Sequence, residues 1–576
     1  MRSPAGGKRV VLRSVRGLVD NRPLLTTVSL VVLAIALALG SLVGVLLAAE
    51  HAPEPPVSVS VDPAGCPTDP ARPKRQFRAM WITTVVNIDW PSRQGLDQAT
   101  VKAEYLDWLE VARRNRFNAV IVMVRVAGDT FWPSPHEPWS QYLTGVRGQD
   151  PGWDPLAFAV AEAHKRDLEF HAWFNPYRAS LQAPGGAGTD LNQLAEGHPL
   201  RAHPEWAVAY PANPVRGRLY FNPGVPEARR FVENAMLDVV ERYDVDAVHF
   251  DDFFYPYPAK GEDFPDDATF AAHGEGFVDK NAWRRGNVDL MIKEMHQRIH
   301  ELKPWVQFGV SPFGIWRNAT ADPLGSATSG NQSYAANHAD TKRWVEEGWL
   351  DYIVPQLYWT IGFAKADYAA LVPWWSTVIE GTGVRLYIGQ AAYRTGSTGS
   401  WGDAGELSAH LALNRNHPQV SGDVYFSAKD VRADRIGAIT RVAAEHYAAP
   451  ALVPQTGQPT AATRMPPTVT KARADPDSGA VRIGWEEPAN LRSGADQVRS
   501  YAVYRFDGDA MPGRCGFADA THLIGTTGER DFVDSTAAAG HQYTYAVTAV
   551  DRRGGESDAG TLSTAGRVAV SSTSTR

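Results

Sequence analysis

The feature that most constrains the fold of this chain is a regular alternation, between residues 76 and 450, of short β-branched or aromatic runs with amphipathic segments of helical length. This alternation is typical of a parallel α/β fold, and eight repeats of it predict a (β/α)8 TIM-like barrel. The eight predicted strands are Arg78–Thr84, Ala119–Arg125, Glu169–Asn175, Ala247–Asp251, Gln307–Pro312, Tyr352–Tyr358, Arg385–Gln390 and Asp423–Ser427.

Two adjacent carboxylates, Asp251 and Asp252, stand at the end of the fourth predicted strand. Barrel enzymes place their active sites at the C-terminal ends of the strands, so an acid pair at this position indicates chemistry. Few other acids follow the strands, and the loop after the second strand supplies two of them, Asp129 and Glu137. We predict that the catalytic residues are among these four.

Aromatic, amide and hydroxyl side chains fill the other strand ends. A sugar ring offers an apolar face to an aromatic ring and a rim of hydroxyl groups to amides and arginines, while glycosidic bond cleavage needs a proton donor and a second carboxylate. The sequence therefore predicts a glycoside hydrolase acting on a polysaccharide. The predicted substrate contacts are Trp81, Arg125, Trp173, Asn175, Tyr177, Arg178, His249, Tyr255, Ser311, Gln356, Tyr358, Trp359 and Gln390.

Other chemistries find little support in the sequence. The chain has no Cys-x-x-Cys or His-Glu-x-x-His motif and its 16 histidines are scattered, so neither a metal site nor a cofactor is predicted. The net charge of −7 includes no basic block beyond the first two dozen residues, so nucleic acid is not an expected partner.

The N-terminal region carries a long uncharged segment, residues 24–49. A helix of this length spans a bilayer, and the basic residues of the preceding segment 1–23 place the N-terminus in the cytoplasm. The sequence thus predicts a single-pass cell-membrane protein with residues 50–75 as a stalk and the barrel, 76–450, outside the cytoplasm. A cleaved signal peptide is the alternative. The sequence does not establish whether Cys66 and Cys515 pair.

The C-terminal region begins with a Pro, Thr and Gln-rich linker, residues 451–466. Residues 467–570 contain short alternating strands, with aromatic residues where a β-sandwich core needs them: Trp485, Tyr501, Tyr504, Tyr543 and Tyr545. This region resembles a fibronectin type III domain. The resemblance implies a spacing or protein-docking role and no catalytic residue.

The barrel region carries several motifs that together are similar to one family. They are Phe77-Arg-Ala-Met-Trp-Ile-Thr83, Phe117-Asn-Ala-Val120, His171-Ala-Trp-Phe-Asn-Pro-Tyr-Arg178, Phe221-Asn-Pro-Gly224, Val248-His-Phe-Asp-Asp-Phe-Phe-Tyr-Pro256, Ser311-Pro-Phe-Gly-Ile-Trp-Arg-Asn318, Pro355-Gln-Leu-Tyr-Trp359 and Tyr387-Ile-Gly-Gln390. In this order they resemble the glycosyl hydrolase-like 10 family. A member at the bacterial division site acts on peptidoglycan glycan strands without stem peptides, which implies a cell-wall substrate here.

Two mechanisms are compatible with these residues. In the first, Asp251 or Asp252 is the general acid, and Asp129 or Glu137 is the nucleophile or base. In the second, the acetamido oxygen of the substrate attacks, one of the strand-four aspartates orients the amide, and Tyr358 helps to hold it. Two other functions stay open, namely a non-catalytic glycan-binding module that anchors to the wall and a hydrolase of another exopolysaccharide.

Overall fold

The structure, a computed structural model, describes residues 60–61, 65–181, 188–213, 215–456, 466–475, 477–487, 494, 497–508, 513–538, 541–557 and 566–569. The predicted cytoplasmic segment (1–23) and transmembrane helix (24–49) lie outside these residues, as do parts of the predicted stalk and linker. Within the described part of the chain, no helix combines the length and the apolar content needed to cross a bilayer.

Eight parallel strands close into a barrel, which confirms the predicted fold. They are β1 (Phe77–Ile82), β2 (Ala119–Arg125), β3 (Glu169–Phe174), β4 (Ala247–Phe250), β5 (Gln307–Val310), β6 (Tyr352–Ile353), β7 (Arg385–Gln390) and β8 (Val420–Tyr425). Each strand pairs with its sequence neighbours, and β8 pairs with β1 to close the cylinder. Every residue of β1 to β5 is buried, because one face of each strand fills the barrel and the other packs under helices.

A helix follows each strand and packs outside the barrel. These helices are α1 (Gln98–Arg114), α2 (Pro155–His164), α3 (Pro226–Arg242), α4 (Lys280–Leu302), α5 (Thr341–Glu346), α6 (Tyr368–Ile379), α7 (Glu406–Asn414) and α8 (Ala438–His446). Several begin at an aspartate whose carboxylate accepts a hydrogen bond from a free backbone N–H of the first turn. Asp97 caps α1, Asp154 caps α2 and Asp279 caps α4 in this way.

The strand-to-helix connections carry the additional structure, which surrounds the C-terminal end of the barrel. The longest follows β3 and contains an antiparallel hairpin, Ala207–Tyr210 paired with Arg218–Phe221. The same connection contains the short helix Pro199–Ala202, and other connections contain Gln141–Thr144, Asp267–His273, Ser333–Ala336 and Ala428–Ala433. The helix Gln141–Thr144 and the hairpin contribute Gln141, Tyr142 and Arg218 to the wall of one of the cavities described below.

The end of β6 differs from the prediction. The sequence predicts a strand as far as Tyr358, whereas regular pairing ends at Ile353. Pro355 has no N–H to donate, so the ladder is interrupted there and resumes only as single bridges from Gln356 to Phe313 and to Gly389. The segment stays extended and delivers its side chains to the barrel opening.

The described residues of the C-terminal region form a two-sheet sandwich of seven strands. Its strands are β9 (Thr468–Ala474), β10 (Val481–Glu486), β11 (Val498–Asp507), β12 (Leu523–Thr527), β13 (Asp531–Asp534), β14 (Gln542–Asp551) and β15 (Gly566–Ala569). One sheet has the order β9-β10-β13 and the other β12-β11-β14-β15. Trp485, Tyr501 and Tyr545 lie in the core between the sheets, whereas Tyr504 faces away from it and packs with Phe506, Phe517 and Leu452.

The sandwich packs against the N-terminal end of the barrel strands. Arg499 of β11 reaches Glu169 and Asp246, which stand at the starts of β3 and β4, at 3.0 and 3.4 Å. A disulfide joins Cys66 to Cys515, 449 positions apart in sequence. The sandwich thus covers the end of the barrel opposite the cleft.

Candidate active site

A cleft of about 270 Å³ opens at the C-terminal end of the barrel, centred over the strands. Residues from all eight strand ends or their following loops line it, which is the arrangement expected when parallel strands converge. The lining residues are Trp81, Thr83, Val85, Met123, Trp173, Arg178, Asp251, Asp252, Phe253, Ser311, Gln356, Tyr358, Tyr393 and Phe426.

Both strand-four aspartates line this cleft. Neighbouring residues of a continuous strand point to opposite faces, but β4 ends at Phe250, so the alternation no longer applies to the next two residues. Asp251 and Asp252 are both buried. The carboxyl groups of Asp251 and Asp252 therefore both line the same small cleft.

Asp251 is held by fixed donors. Its carboxylate accepts hydrogen bonds from the indole of Trp173 (3.3 Å), the amide of Asn175 (3.1 Å) and the backbone N–H of Phe253 (3.0 Å). Burial raises the pKa of Asp251, while the nearby Arg178 charge and these donors oppose the rise. Donors aimed at both oxygens favour the ionised form, so Asp251 is equipped to act as a fixed negative charge.

The environment of Asp252 favours the protonated form of its carboxyl group more than that of Asp251 does. Burial, and next the charge of Asp251, raise the pKa of Asp252 to about 6, although a hydrogen bond from the hydroxyl of Tyr257 lowers it. A carboxyl group with this pKa stays protonated up to a higher pH than an ordinary aspartate, so it is suited to donate a proton in mildly acidic to near-neutral solution. Two adjacent carboxylates in different environments thus divide into a charge and a proton donor.

Buried side chains beneath the cleft position its aromatic wall. Trp81 donates its indole N–H to Nε2 of His249 (3.2 Å), and Ser311 Oγ lies 3.0 Å from the same nitrogen. The other ring nitrogen of His249 contacts the hydroxyl of Tyr352 (3.0 Å). Burial lowers the pKa of His249 far below its usual value, so this imidazole stays neutral and serves to orient its neighbours.

The predicted site residues divide by position. Those in the cleft are Asp251, Asp252, Trp81, Trp173, Arg178, Ser311, Gln356 and Tyr358. Asn175 and His249 touch cleft residues without lining it. Within the cleft, Gln356 donates to the carbonyl of Ser311 (2.9 Å), which fixes its amide beside Asp252.

The two acids after β2 lie elsewhere. Glu137 forms a fully buried bidentate pair with Arg125, at 2.6 Å from each of two guanidinium nitrogens, so both residues are engaged in holding the loop. Asp129 accepts hydrogen bonds from the backbone N–H groups of Val126 (3.3 Å) and Ala127 (2.9 Å). It lines a neighbouring pocket and does not line the cleft of the aspartate pair.

Four other predicted contacts face the barrel exterior or its loops. Gln390 is buried and bonds Tyr368 and Asp423, because its neighbour Gly389 occupies the inward position beside Trp81. Tyr177 and Tyr255 are buried outside the cleft, and the hydroxyl of Tyr255 accepts a bond from Asn287. Trp359 packs edge-on against Phe313, 5.5 Å between ring centroids.

Several residues of the site do not figure in the sequence prediction. Thr83, Val85, Met123, Phe253 and Phe426 complete the apolar wall, and Tyr393 closes one rim. Tyr257 is the most consequential omission, because it donates to Asp252. Its position five residues after that acid, in the same aromatic loop, was the available signal.

Among the described residues, one group of side chains has the composition to hold a metal ion. It consists of His296, His300 and Asp351, half-buried together. Asp351 precedes β6, so the group lies at the N-terminal end of the barrel. It is separate from the cleft and takes no part in the chemistry considered there.

A proton donor and a fixed negative charge beside an aromatic wall, at the C-terminal opening of a (β/α)8 barrel, provide what glycosidic bond hydrolysis requires. The protein is a glycoside hydrolase. Residues 76–403 match the model of the family described as Glycosyl hydrolase-like 10, and the chain belongs to that family.

Two relatives extend the match beyond the motifs. Glycosyl hydrolase YngK of Bacillus subtilis (strain 168) is 43% identical over 493 residues, which cover 85% of this chain and 93% of that protein. Glycosyl hydrolase DigH of Escherichia coli (strain K12) is 38% identical over 391 residues, covering 65% of this chain and 88% of that protein. Among solved structures, the catalytic domain of β-amylase from Paenibacillus polymyxa matches with a TM-score of 0.40 and 12% identity, covering 65% of this chain and 98% of that one.

Proposed function

We propose that this protein is a membrane-anchored, extracytoplasmic glycosidase that cleaves peptide-free peptidoglycan glycan strands with assistance from the substrate's acetamido group. The observation that carries the proposal is the make-up of the cleft, in which Asp251 and Asp252 are the only acids among the described lining residues. A retaining enzyme with a carboxylate nucleophile needs a second acid about 5–5.5 Å from the donor on the far side of the sugar. A substrate that carries its own nucleophile needs none.

The mechanism assigns one task to each aspartate. Asp252 gives its proton to the glycosidic oxygen as that bond to C1 breaks, while the acetamido carbonyl oxygen attacks C1 and forms a cyclic oxazolinium ion. Asp251 accepts a hydrogen bond from the acetamido N–H and stabilises the positive charge that develops there. Water then opens the ring as Asp252 takes its proton back, and the anomeric configuration is retained overall.

Tyr358 and Trp81 fit the remaining needs of such a substrate. Both line the cleft beside the acid pair, and they present a phenol hydroxyl and an indole face to the sugar. Burial raises the pKa of the Tyr358 phenol far above its usual value, so the hydroxyl keeps its proton and can donate to the acetamido oxygen.

Two features support the proposed location, an uncharged segment near the N-terminus and a disulfide bond. The uncharged segment 24–49 is long enough to serve as an anchor, with basic residues before it. The Cys66–Cys515 disulfide fits an oxidising compartment, since disulfides are rare in the cytosol.

We assign the C-terminal sandwich to the fibronectin type III class on its strand order, β9-β10-β13 facing β12-β11-β14-β15.

The test is digestion of defined glycans by the purified full-length protein in detergent, with products identified by mass spectrometry. We expect peptide-free strands to be cut, and strands with N-trifluoroacetyl groups to be cut more slowly because that carbonyl is a weaker nucleophile. Equal rates on both would overturn acetamido assistance. Binding without cleavage would make the barrel a glycan-binding module, and cleavage confined to an exopolysaccharide without acetamido groups would overturn the substrate.

A further inference from the structure

A second pocket of about 520 Å³ adjoins the catalytic cleft. The two cavities share Val85 and Arg178 among their lining residues, so the second pocket lies next to the aspartate cleft, towards the loops that follow β2 and β3. The volume is in the range of pockets that enclose small ligands. A glycan lying over the aspartates therefore has room to extend into this pocket.

Arg178, at the junction of the two cavities, is buried to more than nine-tenths of its surface. Its guanidinium carbon lies 4.4 Å from the centroid of the Phe253 ring, and its Nε atom has no hydrogen-bond partner among the described residues. Most buried charges are paired, because desolvation without a partner costs several kcal/mol. The junction of the two cavities thus holds a buried cation whose Nε donor has no partner among the described residues.

The rest of the pocket lining is also rich in cations. Arg147 and Arg218 line it together with Arg178, against one carboxylate, Asp129, among its described residues. That carboxylate already accepts bonds from the backbone N–H groups of Val126 (3.3 Å) and Ala127 (2.9 Å), and burial raises its pKa. The pocket favours an anionic group.

We propose that the second pocket is an acidic-sugar subsite in which Arg178 binds the carboxylate of the sugar next to the one held over Asp251 and Asp252. A planar guanidinium group matches a carboxylate through two parallel hydrogen bonds, and the cation–π contact with Phe253 holds it at the junction of the two cavities. The inference rests on the proposed function, because every second sugar of a peptidoglycan strand carries a lactyl ether with a carboxyl group.

This carboxyl group reports whether a stem peptide is present. In a peptide-free strand it is a free carboxylate, whereas in a peptide-bearing strand it is a neutral amide with the peptide attached. An amide brings Arg178 no negative charge and is a weaker hydrogen-bond acceptor than a carboxylate, so the free acid is favoured. Arg178 is thereby a specificity-determining residue that selects peptide-free strands.

The experiment compares two probes on the full-length protein. One is a peptide-free glycan fragment with free lactyl carboxyl groups, and the other is the same fragment with these groups converted to methylamides. We expect wild type to show a kcat/KM about 10- to 100-fold higher on the acid, the range expected when one charged hydrogen-bonded pair is gained. Arg178→Met removes this preference by lowering the rate on the acid more than the rate on the methylamide, and Arg178→Lys keeps part of it.

The matched control is Arg394→Met, which removes a cation bonded to the Tyr358 carbonyl (3.3 Å) beside the cleft, outside the second pocket. It should preserve the preference for the acid. The inference is overturned if wild type treats both probes alike, or if Arg178→Met slows both equally.

Failure of the proposed function gives a different result, in which neither probe is cut by any variant. Calorimetric binding of the two fragments to Asp252→Asn, with and without Arg178→Met, then decides the inference alone. Tighter binding of the acid that disappears with Arg178→Met supports the subsite, and equal binding of acid and methylamide overturns it.

Discussion

Arg499 of the sandwich lies 3.0 Å from the carboxylate of Glu169, the first residue of barrel strand β3. From Glu169 a line of polar contacts runs up the barrel interior to the floor of the cleft. His171 contacts Glu169 (3.1 Å) and the hydroxyl of Tyr352 (2.9 Å), which in turn contacts His249 beneath Trp81. The sandwich is therefore connected to the site through buried hydrogen bonds, which a spacer domain does not require.

Replacement of Arg499 tests this connection. Arg499→Met leaves the carboxylates of Glu169 and Asp246 buried without that partner, so we expect the free energy of unfolding to fall by about 3–5 kcal/mol. The control is Arg482→Met, whose pair with Asp531 (3.0 Å) is solvent-exposed on the same sandwich and should contribute below about 1 kcal/mol. Chemical denaturation measures both. Equal losses in the two variants would contradict a stabilising role for the buried pair.

The contribution of Asp246 should also depend on pH. Burial alone would raise the pKa of Asp246, but the charges of Arg499 and His164 hold it well below its usual value. A depressed folded-state pKa adds stability above the unfolded value of about 3.9, and this stability is lost as pH falls through the folded pKa. We therefore expect the stability difference between wild type and Arg499→Met to shrink from pH 6 to pH 3 in denaturation series. A stability difference that stays constant between pH 6 and pH 3 would refute this prediction.

The roles of the two aspartates can be separated by leaving-group chemistry. Asp252→Asn should lower kcat about 10²- to 10⁴-fold on natural glycan, yet much less on an aryl glycoside whose leaving group needs no proton. Asp251→Asn should impair both substrates, since the charge it supplies is needed in either case. Steady-state rates on the two substrates give the answer. If Asp129→Asn proved as damaging as Asp251→Asn, the second acid would lie after β2.

The pKa of Asp252 predicts the pH profile. Because this pKa is raised to about 6 and the protonated form is the donor, kcat/KM should fall as pH rises through about 6. Tyr257→Phe removes a hydrogen bond that lowers the pKa, so the falling limb should move to higher pH. Tyr393→Phe, on the cleft rim, should leave the limb in place. A limb unmoved by Tyr257→Phe would refute the assignment of Asp252 as donor.

The disulfide should stabilise the folded chain. Cys66 and Cys515 enclose most of the sequence, so the Cys66→Ala/Cys515→Ala variant should lose about 2–4 kcal/mol and show a lower Tm. Thermal unfolding with and without reductant measures the effect. Wild type should respond to the reductant and the double variant should not, and insensitivity of both would show that the bond contributes nothing.

The sequence predicts the barrel well because each βα repeat is a local pattern. It places Asp251 and Asp252 correctly in the cleft for the same reason, since the strand end is visible where Phe250 meets two acids. It is harder to predict from the sequence which face of a strand a side chain lies on, as Gln390 illustrates. The inward position of β7 belongs to Gly389, whose missing side chain makes room for Trp81, and only the three-dimensional packing shows this.

The conformations of the loops explain the remaining differences between the predicted and the observed site residues. Arg125 stands at the end of β2 like a substrate contact, yet Glu137 returns from the following loop to neutralise it. That encounter depends on how the loop folds, which no spacing rule specifies. Tyr257 differs from Arg125 because it is absent from the predicted site, yet its loop folds back so that its hydroxyl donates a hydrogen bond to Asp252.

The Cys66–Cys515 bond also has a mechanical consequence. Tension applied to the chain before residue 66 passes through this bond into the sandwich before it can reach the first barrel strand. The pair between Lys74 and Glu556, at 2.6 Å, fixes the intervening segment to the same domain. A load on the N-terminal side is therefore carried by the sandwich, and the strands that hold the two aspartates are shielded from it.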